Sequence, residues 1–87
     1  MKVNYKGMDS DFNYRVAEIS WDDENEKENK TIKDLEYLMK IHGGYDLQII
    51  ADGYASCEVD DYEEYKEFVK LYKHIKHHAA LWRKFGH

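Results

Sequence analysis

Polar and apolar residues alternate from Lys2 to Lys6, with Val3 and Tyr5 on one side, and the turn-forming run Gly7-Met8-Asp9-Ser10-Asp11 follows. This pattern predicts an opening hairpin. Its second strand covers Phe12 to Trp21, where Phe12, Tyr14 and Val16 share one face while Ala17, Ile19 and Trp21 share the other. The change of phase predicts a bulge or bend at Val16 and Ala17. From Asp22 to Asn29 there is no periodicity and there are five carboxylates, which reads as a solvated loop ahead of a helix capped by Asn29 or Thr31. Ile32, Leu35, Leu38, Met39 and Ile41 then recur at helical spacing, and Gly43-Gly44 supplies a left-handed exit.

The second half repeats the order without repeating the residues. Tyr45, Leu47, Ile49 and Ala51 alternate, Asp52-Gly53 intervenes, and Ala55, Cys57 and Val59 alternate again. Asp-Gly between two alternating runs is a strong hairpin signal, the tight turn calling for positive φ at both central positions. Asp60-Asp61-Tyr62-Glu63 resembles a capping-box start with Asp60 as the cap, and the helix it opens is expected to reach about Phe85. Along it Tyr65, Phe68, Tyr72, Ile75, Ala79 and Trp82 form a seam spaced three and four apart. The expected fold is α+β: a single small domain over residues 1–87, ββαββα in order, a four-stranded antiparallel sheet packed by two helices with a long C-terminal helix.

Composition narrows the function classes. A chain of 87 residues with 43% hydrophobic and 15% aromatic residues is too rich in rings for disorder, yet small enough that its margin of stability is thin. One cysteine excludes an internal disulfide, and neither a leader-like apolar segment nor a run of ~18 apolar residues is present, so a cytoplasmic address without membrane insertion is expected.

Charge is sorted along the chain. From Asp9 to Glu64 seventeen Asp/Glu face five Lys/Arg, whereas Tyr65 to His87 carries one Glu against six Lys/Arg. With Lys2 and Lys6 the net charge is −5. Two acidic clusters stand out, Asp22, Asp23, Glu24, Glu26 and Glu28 in the first and Asp60, Asp61, Glu63 and Glu64 in the second. Brought together by the fold, they would space carboxylates as a polyanion spaces phosphates and attract a basic groove. Solubility is the plainer use of such residues.

The remaining constellations are thin. Lys66, Lys70, Lys73, His77 and Lys84 make a stripe on the last helix that can meet phosphates, although bases near a helix C-terminus also simply complement its dipole. His74, His77 and His78 form H-x-x-H-H, which is half of a metal site at most, so no metal or other cofactor is expected. The alternating acids from Asp22 place Lys27 and Lys33 where a calcium loop needs Gly and Glu. Cys57 has no neighbouring helix N-terminus or histidine to activate it, and Asp60 with Asp61 is explained by capping, so no catalytic residue is assigned.

The expectation is therefore a non-enzymatic acidic interaction protein. It would act as an inhibitor of the anti-CRISPR or anti-restriction type, carried by a phage or mobile element, that blocks a basic nucleic-acid-binding surface of a host protein in the manner of a DNA mimic. Its contacts would be the two acidic clusters, with Tyr54 and Tyr62 as aromatic anchors. The alternative is a module acting through the basic terminal helix, either on nucleic acid or as a homodimer joined through Trp82 and Phe85.

Overall fold

The computed structural model describes residues 1–7 and 15–78. They form a small α+β domain with a four-stranded antiparallel sheet and two helices. Along the chain these are β1 (Lys2–Lys6), β2 (Arg15–Ser20), α1 (Glu26–Gly43), β3 (Gln48–Ala51), β4 (Tyr54–Val59) and α2 (Tyr62–His77). The sheet order is β1-β2-β4-β3, so the two central strands come from different hairpins.

Strand register separates the faces. Ala17 and Ile19 of β2 lie opposite Tyr5 and Val3 of β1 on one side and opposite Cys57 and Ala55 of β4 on the other. Ala17, Ile19, Ala55 and Cys57, with Val59, join Ile32, Leu35, Leu38 and Met39 of α1, Leu47, and Phe68, Tyr72 and Ile75 of α2 in one buried cluster, against which Val3 and Tyr5 pack partly buried. Phe68 is fully enclosed, its ring meeting Tyr45 edge-on at 5.3 Å. The other face carries Lys2, Asn4, Lys6, Glu18, Ser20, Tyr54, Ser56 and Glu58, which explains the polar half of each alternation.

Several local expectations are corrected. The paired residues of β2 run without a register shift, and Val16 is 8% exposed on the face opposite Ala17. A central strand can bury residues on both faces, and that reads in sequence as a change of phase. The irregularity sits instead in β3, between Ile49 and Ala51, and leaves Ile50 as the extra residue. At the Asp52-Gly53 turn, only Gly53 takes a positive φ, 80°, among the described residues.

Helix starts also move. Asn25, not Asn29 or Thr31, caps α1, its side chain accepting from the amides of Lys27 and Glu28 at 3.0 and 3.2 Å. What reads as a loop is thus partly helix. Asp61, not Asp60, caps α2 by accepting from the Glu64 amide at 2.8 Å. Gly44, at φ 70°, closes α1 by donating to the Lys40 carbonyl. The segment read as helix beyond His78, with Trp82, Lys84 and Phe85, lies outside the described residues, as do Phe12 and Tyr14.

The two left-handed glycines should differ in their tolerance of a side chain. A Cβ on Gly44 meets nothing within 4 Å, whereas one on Gly53 falls 2.9 Å from the Trp21 carbonyl oxygen. Gly44→Ala is expected to lose about 1–2 kcal/mol, the backbone cost alone. Gly53→Ala should lose more, because the hairpin tip must also retreat from Trp21, whose amide donates to the Gly53 carbonyl at 3.1 Å. Urea unfolding of the two variants gives the order.

Candidate functional site

Antiparallel pairing of β2 with β4 puts Ser20 beside Tyr54 and Arg15 beside Val59. The acidic cluster that follows β2 and the one that follows β4 therefore stand at opposite ends of the sheet. Five residue steps of strand separate those ends, roughly 17 Å. They do not merge into one patch.

At the first end the carboxylates are drawn into the fold. Glu28 accepts from the N-terminal ammonium of Met1 at 3.2 Å and from the Asp22 amide at 2.8 Å. Asp22 in turn accepts from the Glu24 amide at 3.0 Å. Asn29 accepts from the Trp21 indole N–H and donates to the Asp23 carbonyl, both at 2.8 Å, so the connection between β2 and α1 is fastened from both sides. The Asp22 hydrogen bond and the Met1 ammonium hold the Glu28 carboxyl below its ordinary pKa, and Lys76 adds to them.

The basic end of α2 arrives at this same place. Met1, Val3, Tyr72, Lys73, His74, Lys76, His77 and His78 line a hollow of about 820 Å³. Tyr72 feels both its burial, which comes first in raising its pKa, and the Glu28 charge. The opposite signs that are far apart in sequence thus meet in space. His78 stacks edge-on against His74 and His77 with ring centroids 4.9 Å apart in each case. Among the described residues, no group of three or more histidine, cysteine or acidic side chains is arranged to hold a metal ion.

The second end stays acidic. Asp46, Glu58, Asp60 and Glu64 line an open groove of about 890 Å³ together with Tyr45, Gln48, Ile50 and Ser56, and among the described residues Arg15 is the lining cation. Arg15 donates to the Asp60 carbonyl at 3.2 Å. Burial and the nearby Asp60 and Asp61 charges push the Glu64 carboxyl above its ordinary pKa, against a hydrogen bond from the Asp60 backbone. Asp46 and Glu58 carry no local sequence signal for this role, because one follows the α1 exit and the other is an outward residue of β4. Register alone brings them together.

The other expected site residues are dispersed. Glu63 pairs with Lys66 at 3.1 Å, and Glu67 with Lys70 at 3.8 Å, so part of the lysine stripe lies along acids of its own helix. Tyr62 is half-exposed at the acidic end and packs with Tyr5 and Tyr65, at centroid distances of 5.2 and 5.7 Å. Tyr54 stands at the opposite end of β4 and donates its hydroxyl hydrogen to Glu18 on the open sheet face. The two proposed anchors share no surface. Cys57 is buried, its thiol pushed up to about 11 by burial first and then by Asp46 and Glu64, so it remains protonated at neutral pH. Among the described residues, no helix is long and apolar enough to cross a membrane.

The two ends should answer pH with opposite sign. Glu28 has a lowered folded pKa, so its contribution is present above the ordinary carboxyl value of 4.5 and is lost as pH falls through the folded value. Glu28→Gln is expected to lower the melting temperature at neutral pH and to converge on the parent at pH about 2. Glu64 has a raised folded pKa, and its favourable contribution, present in acid, is lost as pH rises through that value. Glu64→Gln should raise the melting temperature at neutral pH and lose that advantage below pH about 4. Thermal unfolding across pH measures both.

Comparison with protein-family models, with curated proteins and with solved structures finds no match for this chain.

Proposed function

We propose that this is a non-enzymatic interaction protein that presents an acidic groove to a basic surface of another protein. The observation that carries the reading is the convergence of Asp46, Glu58, Asp60 and Glu64 around a groove where, among the described residues, Arg15 is the lining cation. Carboxylates crowded so that one of them is harder to ionise gain from an approaching cation, which supplies the missing countercharge. In the first acidic cluster, Glu28 has its countercharge within the fold, in Met1 and Lys76. In the second, Lys66 pairs with Glu63 and Arg15 with the Asp60 carbonyl, while Asp60 and Asp61 raise the Glu64 pKa, so the reading centres on Asp60 and Glu64, with Asp61, Glu63 and Tyr62 at the margin. The class of partner that fits is a basic nucleic-acid-binding surface, which any rigid polyanion of suitable spacing occupies. An inhibitor of the anti-restriction or anti-CRISPR kind, borne by a phage or mobile element, is the biological form this reading takes.

Two variants of equal charge change test the reading. Glu58→Gln/Asp60→Asn/Glu64→Gln is expected to weaken capture of a basic partner several-fold and to flatten its salt dependence, while Asp23→Asn/Glu24→Gln/Glu26→Gln has the smaller effect. Both are compared with the parent in pull-downs from nuclease-treated lysate at low and high salt. The reverse order would move the site to the first cluster. Recovery of nucleic acid from a parallel lysate without nuclease, lost on Lys73→Glu, would move it to α2.

A further inference from the structure

β3 lies at one edge of the sheet, with β4 on its inner side and, among the described residues, no strand beyond it. An edge strand points N–H and C=O groups outward and so templates another chain, which proteins discourage with charged residues, prolines or bulges. The other edge, β1, is guarded by Lys2 and Lys6, both exposed. β3 reads Gln48-Ile49-Ile50-Ala51 and carries no charge. Its isoleucines are 38% and 61% exposed, unusual for residues that would normally seek the core.

Each face of this edge offers a seat for side chains. On the helix side, Ile49 lines a hollow of about 390 Å³ with Tyr37 and Leu47. On the open side, Ile50 and Gln48 border the acidic groove beside Glu58. The ends are acidic as well: Asp46 lies just before β3, Asp52 just after it, and Asp23 adjoins the hairpin tip, 3.7 Å from where a Gly53 Cβ would stand. A second copy fits this edge poorly, because two bulged strands would mismatch at both Ile50 residues and two chains of charge −5 repel.

We infer that β3 is a docking edge for an extended segment of another protein, apolar at alternate residues and basic at both ends, which adds to the sheet as a further strand. Main-chain hydrogen bonds to β3 hold the segment, and the hollows either side of Ile49 and Ile50 select its side chains. The basic ends rest on the acidic-surface reading above; the strand addition rests on the edge itself.

The probes are a synthetic peptide Lys-Val-Thr-Val-Thr-Val-Lys, the same peptide with its central amides N-methylated, and a version with Glu at both ends, each titrated into the full-length protein labelled for NMR. The first is expected to shift β3 resonances and to slow hydrogen exchange at the Gln48–Ala51 amides that β4 does not engage. N-methylation should weaken binding at least about tenfold, the cost of two backbone hydrogen bonds. The Glu-ended peptide should bind more weakly than the Lys-ended one. Shifts confined to Asp46, Glu58, Asp60 and Glu64, without slowed exchange in β3, would overturn strand addition and leave the acidic reading standing. Equal binding of the Lys- and Glu-ended peptides on β3 would overturn the basic occupant and count against that reading. No binding of any peptide, or concentration-dependent protection of β3 in the protein alone, would also overturn the inference, the latter in favour of a second copy.

Discussion

The antiparallel pairing of β2 with β4 decides where everything else in this domain goes. It joins two hairpins through their inner strands, and it sets Ala17 and Ile19 across from Cys57 and Ala55 as the floor on which Phe68, Leu35 and Ile75 collect. Burying that set is the main source of stability in a chain with so little interior, since apolar burial contributes about 25 cal/mol per Å². The same pairing runs the two strands in opposite directions, so the connections that leave them leave from opposite ends. The acidic run after β2 and the acidic run after β4 are separated by the length of the sheet. Charge placement is thus a consequence of topology rather than of local sequence.

The placement of the α2 C-terminus completes that logic. The basic end of α2 comes to rest by the acidic start of α1, where Lys76 and the Met1 ammonium act on Glu28. Opposite ends of two helix dipoles are also brought side by side there, with acids at the α1 N-terminus and bases at the α2 C-terminus. Opposite charges so placed trim the surface potential at this end. Its consequence is an uneven distribution: one end carries both signs, and the other keeps the carboxylates of Asp46, Glu58, Asp60 and Glu64 with Arg15 among them.

Sequence reading captured what depends on period and turn chemistry. The alternation of Val3 and Tyr5, the helical spacing of Ile32, Leu35, Leu38 and Met39, and the turn at Asp52-Gly53 all correspond to described elements. It misplaced what depends on competition between neighbours. Asn25 and Asn29 are equally good caps on paper, and the choice falls to Asn25 because Asn29 is engaged by the Trp21 indole across the connection. Asp60 and Asp61 differ only by one residue, and the Glu64 amide selects Asp61. Of the groove, only Asp60 and Glu64 were legible, as part of the second acidic cluster. Its members come from β2, the α1 exit, β4 and α2, and only strand register makes them neighbours.

The contrast between the two sheet edges carries a further implication. A lysine at each end of β1 costs little in a strand whose outer face is already wet, and it discourages pairing there. Comparable protection on β3 would have been as simple, yet its residues are uncharged and both isoleucines are exposed. Exposed isoleucine on an edge strand is an aggregation liability, and the bulge at Ile50 is what limits it, by breaking the register on which an endless stack of identical strands depends. A bulged edge still accepts one flexible strand along Gln48 and Ile49. The geometry therefore disfavours association with itself more than association with a different chain, and the carboxylates around the edge bias that chain toward positive charge.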